Sequence, residues 1–299
     1  MSTPTAKRKI FFTISAILIV LSIILLFAKG LNLGIDFKGG TTFQFDLNKT
    51  KYSAQVETEI ENIVKEQTGS KDIIVQKIGD NDVSIKTIEL SNEKSDALKE
   101  AIMKKYSLED KHVLSIEKVS GTVSGRLLGD SLKAILLAII LMLIYIWIRF
   151  DFQSGTSAVI ALAHDVLIML GFYAAFGFTV NTSFIAAILT IVGYSINATI
   201  VVFDRVRENN RMMRKATPDQ AADKAITGSY LRAINSSLTT LFTIGILYVM
   251  GVDSIKEFAL PIIVGIIAGT YSSLFLAAPF WAWWKNLGMT NAKKPAKKK

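Results

Sequence analysis

Six apolar runs, each close to twenty residues, constrain this chain more than any other feature. They occupy residues 10–28, 131–148, 156–178, 184–203, 233–250 and 258–284. A helix of ~20 residues crosses a hydrocarbon core of ~30 Å. Lipid offers no partners to backbone N–H and C=O groups, so a spanning segment must bond its own. The runs therefore predict a polytopic α-helical membrane protein with six transmembrane helices. One long polar insertion separates the first helix from the second. The overall hydrophobic share of 51% would not decide this, since soluble domains approach it. The distribution decides.

The net charge is +9, which raises the question of nucleic acid. Position answers it. Residues 30–126 hold 14 Lys/Arg and 16 Asp/Glu, close to neutrality. The excess sits in Lys7, Arg8 and Lys9, at Arg149, in the stretch from Arg205 to Arg232, and in the tail 285–299. With a cytoplasmic N-terminus, alternate crossings bring all four clusters to the cytoplasmic side. The other side receives residues 178–183, without charge, and residues 251–257, with Asp253, Lys256 and Glu257. That is the positive-inside pattern, and no aromatic interleaving points to nucleic acid instead. The chain has no Cys, which excludes a disulfide-stapled domain and thiolate metal sites. No cofactor or metal constellation is expected.

The expected layout is a cytoplasmic tail (1–9), a first helix (10–29), an extracytoplasmic domain (30–126), helices two to six (127–284) with a cytoplasmic segment (204–231), and a basic cytoplasmic tail (285–299). The first run exceeds a secretory h-region of ~7–15 residues and lacks an A-x-A site, so it reads as an uncleaved anchor. Within the insertion, residues 41–47 alternate and read as a strand. Ser53 caps a helix with Val56, Ile60, Ile63 and Val64 at helical spacing. Residues 72–78 and 83–88 form a hairpin about the turn Gly79-Asp80-Asn81-Asp82. Ser91 caps a second helix bearing Leu98 and Ile102, and residues 113–119 close the domain as a strand. The order βαββαβ is that of a ferredoxin-like domain. His112 reads as a surface residue.

Gly121, Gly125 and Gly129 fit either close helix approach or a flexible linker. Thr217-Pro218-Asp219-Gln220 carries an N-cap with Pro at the first helical position, predicting a short helix over 218–227 along the membrane. Gly265 and Gly269, followed by Ser272 and Ser273, form the best close-packing face.

Polar groups inside the spans carry the functional question. At ~1.5 Å per residue, Asp165 in the third span lies ~13 Å deep and Asn197 in the fourth ~10 Å deep. Asn235, Ser236, Thr239 and Thr240 in the fifth lie at ~6–14 Å, with Arg232 at the rim. A central Asp costs ~2.5–3.5 kcal/mol on insertion scales. A protonatable Asp facing Asn, Ser and Thr has the composition of a proton or cation relay. A structural hydrogen-bond knot is the competing reading. Asp165, Asn197 and Arg232 are the ion-coupling candidates, against a structural role for Asn197, plain positive-inside placement for Arg232 and a surface pair for Asp204 with Arg205.

Three segments carry a resemblance. GIDFKGG (34–40), including Gly34, Asp36, Gly39 and Gly40, follows the first span. ALAHDVLI (161–168) and LTIVGYSINATIVVFDRVREN (189–209) lie in the third and fourth, the latter with Gly193, Ser195, Asn197, Asp204 and Arg205. GTYSSLFLAAP (269–279) lies in the sixth. Together they resemble the SecF branch of the SecD/SecF family of the resistance-nodulation-division superfamily. The resemblance implies pairing with SecD as a homologous half and association with the SecYEG channel, with YajC and YidC as further partners. It implies use of the proton (or sodium) motive force to promote preprotein translocation, in the cytoplasmic membrane. One position departs from the pattern: after GYSIN the family usually carries Asp, and this chain has Ala198. Arg232 matches the Arg expected in the fifth span. An Ala cannot bind a proton, so coupling through this half would fall to Asp165 or to the partner.

Two other classes compete with this reading. Half of a small-molecule efflux transporter fits the spans, but an insertion of about 90 residues is small for drug capture. A membrane aspartyl enzyme needs two carboxylates sharing a site, and Asp165 is a lone intramembrane acid, so no catalytic residue is expected.

Overall fold

The computed structural model describes residues 3–48, 50–70, 73–78, 81–213, 216–251 and 253–292. Asp72, Gly79 and Asp80 of the expected hairpin and the basic tail from residue 293 lie outside them. The chain forms two units, Leu33–Lys133 and Met1–Asn32 with Ala134–Lys299.

In the first unit, a one-turn helix α2 (Ile35–Lys38) leads into β1 (Gly40–Asp46). Then follow α3 (Ala54–Thr68), β2 (Ile73–Lys77), β3 (Asp82–Thr87), α4 (Asn92–Tyr106) and β4 (Val113–Val119). The spatial order is β2-β3-β1-β4, with every neighbouring pair antiparallel. Phe43 stands opposite Ile85 on one side and Ile116 on the other. Alternation along β1 sends Phe43 and Phe45 to the face covered by α3 and α4. They meet Ile60, Val64, Leu98 and Ile102 there, all fully buried. Ser53 and Ser91 cap the two helices through Val56 N and Lys94 N, as their positions predict. His112 departs from expectation. It is buried, and its Nδ1 accepts the Glu109 N–H at 3.1 Å. A tight turn over Asp110–His112 folds the ring back on the chain, which the sequence pattern does not signal.

Two tyrosines tie this unit to its acidic helix. Tyr52 donates to Glu57 at 2.8 Å and Tyr106 to Glu59 at 3.4 Å. Burial and these carboxylates push both phenols up to about 12. An unfolded tyrosine ionises near 10, so their stabilisation is fully present below pH 10 and is lost as pH rises toward 12. Unfolding followed against pH should show a decline over that window, reduced in Tyr106→Phe. A flat profile to pH 12 would contradict it.

Six helices among the described residues are long and apolar enough to cross a membrane. They are α1 (Arg8–Lys29), α5 (Gly121–Arg149), α6 (Phe152–Phe176), α7 (Thr182–Met212), α8 (Pro218–Met250) and a last one of three consecutive stretches. That one comprises α9 (Asp253–Ser272), a π-helical turn over Ser273–Ala277, and α10 (Ala278–Ala292). Within the second unit α9 packs against α6, α7 and α8, while α1 lies on α6. Gly171 admits α1 closely, since a Cβ there would lie 2.1 Å from Ser22 Oγ.

Several helices outrun their predicted spans. Gly121, Gly125 and Gly129 are helical rather than a linker. A Cβ on any of them would meet nothing within 4 Å, so the spacing of four does not mark close packing. The short helix expected over 218–227 is the beginning of α8. Thr217 and Pro218 mark its start as predicted, but nothing between Thr227 and Leu231 stops it. At ~1.5 Å per residue its 33 residues run ~50 Å, well beyond a ~30 Å core. Its first turns are held by Thr5, whose N and Oγ1 donate to Asp223 at 2.9 and 2.6 Å. Arg8 pairs with Asp219 at 2.9 Å.

Candidate functional site

The buried polar cluster of the membrane unit assembles where α6, α7 and the end of α9 meet. Asp165 of α6 is fully buried. Its Oδ2 accepts from Ser195 Oγ at 2.6 Å and from Ser272 Oγ at 2.9 Å, and its Oδ1 lies 3.0 Å from His164 Nδ1. Thr199 and Ser273 share a hydrogen bond at 2.9 Å one turn further along. On α7, Ser195 and Thr199 are four residues apart and share a face. The glycines of α9 let it approach. A Cβ at Gly265 would lie 2.6 Å from Ile191 Cγ1, and one at Gly269 would lie 3.1 Å from Ser195 Cβ and 3.4 Å from Asp165 Oδ2. The close-packing face read from Gly265 and Gly269 thus brings α9 onto α7. Immediately after Ser272 the helix widens into its π turn. Such turns break the regular bonding ladder and concentrate at functional sites.

His164 completes the cluster. Its ring is almost fully buried and stacks on Tyr271 with centroids 5.9 Å apart. Tyr271 in turn donates to the Phe11 carbonyl at 2.9 Å and lies 3.2 Å from Ser15 Oγ. Among the described residues His164 Nε2 has no hydrogen-bond partner. With Asp165 ionised, Nδ1–H donates to it, and the carboxylate then accepts three hydrogen bonds. Chemically, the Asp–His pair can hold or pass a proton with Nε2 as the open end. The sequence places Ser272 and Ser273 on a close-packing face and gives His164, within ALAHDVLI, no role of its own. Adjacency of His and Asp in an apolar span was the available signal.

The other two coupling candidates lie elsewhere. Asn197 is exposed on α7 and Arg232 is exposed on α8. Two helical residues subtend ~200°, so Ser195 facing inward sends Asn197 outward. The expected single polar level from three spans is therefore two features. Asn235, Ser236 and Thr239 are exposed on α8 as well. Tyr194 joins the two helices through Thr240 Oγ1 at 3.4 Å. The inward group of the fifth span is Ser237, which accepts from Thr270 at 2.6 Å. Ala198 is half-buried between the two features. Asp204 and Arg205 are not a pair: Asp204 bonds Arg149 at 2.8 Å, and Arg205 bonds Glu208 at 2.6 Å.

In the first unit Gly39 and Gly40 have φ of 76° and 142°. A Cβ on Gly39 would lie 3.0 Å from Gly121 Cα, and one on Gly40 would lie 2.4 Å from Thr87 O. Gly34, at φ −69°, instead caps α2 and carries no positive φ. A Cβ at Gly193 would have open space around it.

Residues 98–287 match the family model for the C-terminal region of the protein export membrane proteins SecD/SecF, and residues 24–51 match the SecD/SecF GG motif. The chain belongs to the SecD/SecF family. Within it, relatives are protein translocase SecF subunits. That of Petrotoga mobilis is 37% identical over 98% of this chain and 97% of its own length. That of Haemophilus influenzae is 36% identical over 90% of this chain and 82% of its own. A crystal structure of SecDF, a translocon-associated membrane protein from Thermus, superposes with a TM-score of 0.83 at 33% identity. It covers 94% of this chain, which spans 38% of that longer SecDF chain. The GG motif of the SecD/SecF family is thus the Gly39–Gly40 backbone passage. The chain is a multi-pass membrane protein of protein translocation, and its Asp165 cluster falls within the matched C-terminal region.

Proposed function

We propose that this chain is one half of a transport unit that pairs with a SecD-type half. The pair would use the proton (or sodium) motive force to promote preprotein translocation through a SecYEG-type channel. The observation that carries the reading is the outer face of α7 and α8. Asn197, Arg232, Asn235, Ser236 and Thr239 are exposed there on helices that cross a membrane. Polar groups at that depth are costly against lipid, and a homologous half would cover them. The longer SecDF chain, of which this chain matches 38%, leaves room for such a half.

Coupling in this half falls to Asp165 with His164, since Ala198 offers no titratable group. The first unit is proposed as an extracytoplasmic ferredoxin-like head, supported by its β2-β3-β1-β4 antiparallel order. Both termini are cytoplasmic by the charge distribution. The chain works as a transporter subunit and not as an enzyme. The groups that Asp165 meets are an imidazole and two hydroxyls, whereas aspartyl chemistry pairs two carboxylates.

Reconstitution tests the pairing. Vesicles holding this chain together with its SecD partner and the channel should show motive-force-dependent export. Vesicles with the channel and this chain alone should show none of the stimulation. Full stimulation without the partner would end the reading.

A further inference from the structure

One end of the membrane unit holds a cavity of about 400 Å³ that the coupling reading does not use. Its cations come from three helices: Arg149 from the end of α5, Arg207 from the far part of α7, and Lys285 from α10. Asp151, the N-cap of α6, is the one carboxylate on its wall among the described residues. Burial works against that carboxylate, but hydrogen bonds from Ser154 and the Lys285 ammonium outweigh it and hold its pKa below the usual range. The wall thus carries three positive charges against one negative.

Existing pairs position two of these cations without consuming the third. Lys285 reaches Asp151 at 3.2 Å and lies 5.6 Å from the Trp281 ring centroid. Arg149 reaches Asp204 at 2.8 Å. Arg207 has no carboxylate partner among the described residues, and its guanidinium is built for bidentate bonds to phosphate. Trp281 lines the same cavity with its buried ring, beside the Lys285 ammonium.

The rest of the lining decides what kind of anion belongs here. Phe203 and Val206 supply an apolar wall. Ile148, also on the wall, is 82% exposed at the end of a spanning helix. Cations beside apolar surface, at a helix end, match a headgroup with its chains attached. Basic pockets between spanning helices are known to take such headgroups. We propose that this cavity binds the phosphate headgroup of an anionic membrane phospholipid, with Arg207 and Lys285 on the phosphate oxygens.

The test uses the full chain purified in detergent and native mass spectrometry. The probes are dioleoyl phosphatidylglycerol, dioleoyl phosphatidylcholine and inorganic phosphate as competitor. Phosphatidylglycerol should be retained in preference to phosphatidylcholine. Arg207→Gln and Lys285→Gln should each weaken that retention about fivefold. Lys104→Gln, exposed in the other unit, should leave it unchanged. If Lys285→Gln unsettles the fold through Asp151, the exposed Arg207 decides alone. Equal retention of the two lipids overturns the proposal, as does unchanged retention in Arg207→Gln. Displacement by inorganic phosphate also overturns it, since the cavity would then be a plain anion site.

Discussion

Replacing Asp165 by Asn should cut motive-force-dependent translocation about tenfold or more while protein level and membrane insertion stay normal. The magnitude follows from the size of effect that a positioned proton-transfer group supplies. The fold should survive because the amide keeps the shape of the carboxyl. Its oxygen can still face His164 Nδ1–H, and its nitrogen can donate to the Ser195 and Ser272 hydroxyls. These now donate to Oδ2 at 2.6 and 2.9 Å, and a hydroxyl can turn to accept. What the amide cannot do is take up and release a proton. The assay is export into vesicles holding the channel and both halves, with and without an imposed motive force. Unchanged stimulation would assign the cluster to holding α6, α7 and α9 together. His164→Gln provides a second readout, since it removes the open Nε2 and leaves Asp165 in place.

The second large effect concerns the backbone passage at the GG motif. Gly40→Ala should destabilise the first unit by about 3 kcal/mol or more. Two causes add: φ of 142° is strained for any L side chain, and the new methyl would sit 2.4 Å from Thr87 O on the paired strand. A carbonyl in an antiparallel ladder has little room to move. Gly69→Ala is the control. It also has positive φ, 73°, but open space around its Cβ, so it should cost about 1 kcal/mol. Domain stabilities are only ~5–15 kcal/mol, so the Gly40 variant should expose β1 amides measurably. Hydrogen exchange of Thr41–Phe45 in the full chain reads this directly. Equal protection in the two variants would show that the strand shifts to accept the methyl.

Periodicity and hydrophobicity made most of the architecture readable. Spanning helices follow from apolar length, because lipid leaves the backbone no other way to bond. The strand positions and the two Ser caps of the first unit followed from alternation and capping chemistry, which are local properties. Helix ends were less readable. The stretch from Thr217 marks where α8 starts, but no residue marks where the predicted short helix should stop, so it runs on into the span. Gly121 to Gly129 could not be told from a linker, because a glycine's backbone choice depends on what surrounds it.

The sequence alone placed Asp165, Asn197 and Arg232 at membrane depth, since depth is a count of residues along a helix. It also showed that Ala198 cannot titrate. Which way each side chain faces is a matter of helix rotation and of neighbours, and only the tertiary structure decided it. Ser195 turns inward to donate to Asp165, and Gly269 lets α9 close over the pair. The same rotation carries Asn197 to the outer face with Arg232. Proximity in depth became two separate features, a buried Asp–His cluster and an exposed polar surface. Packing distances between helices set that division, and no single-helix pattern encodes them.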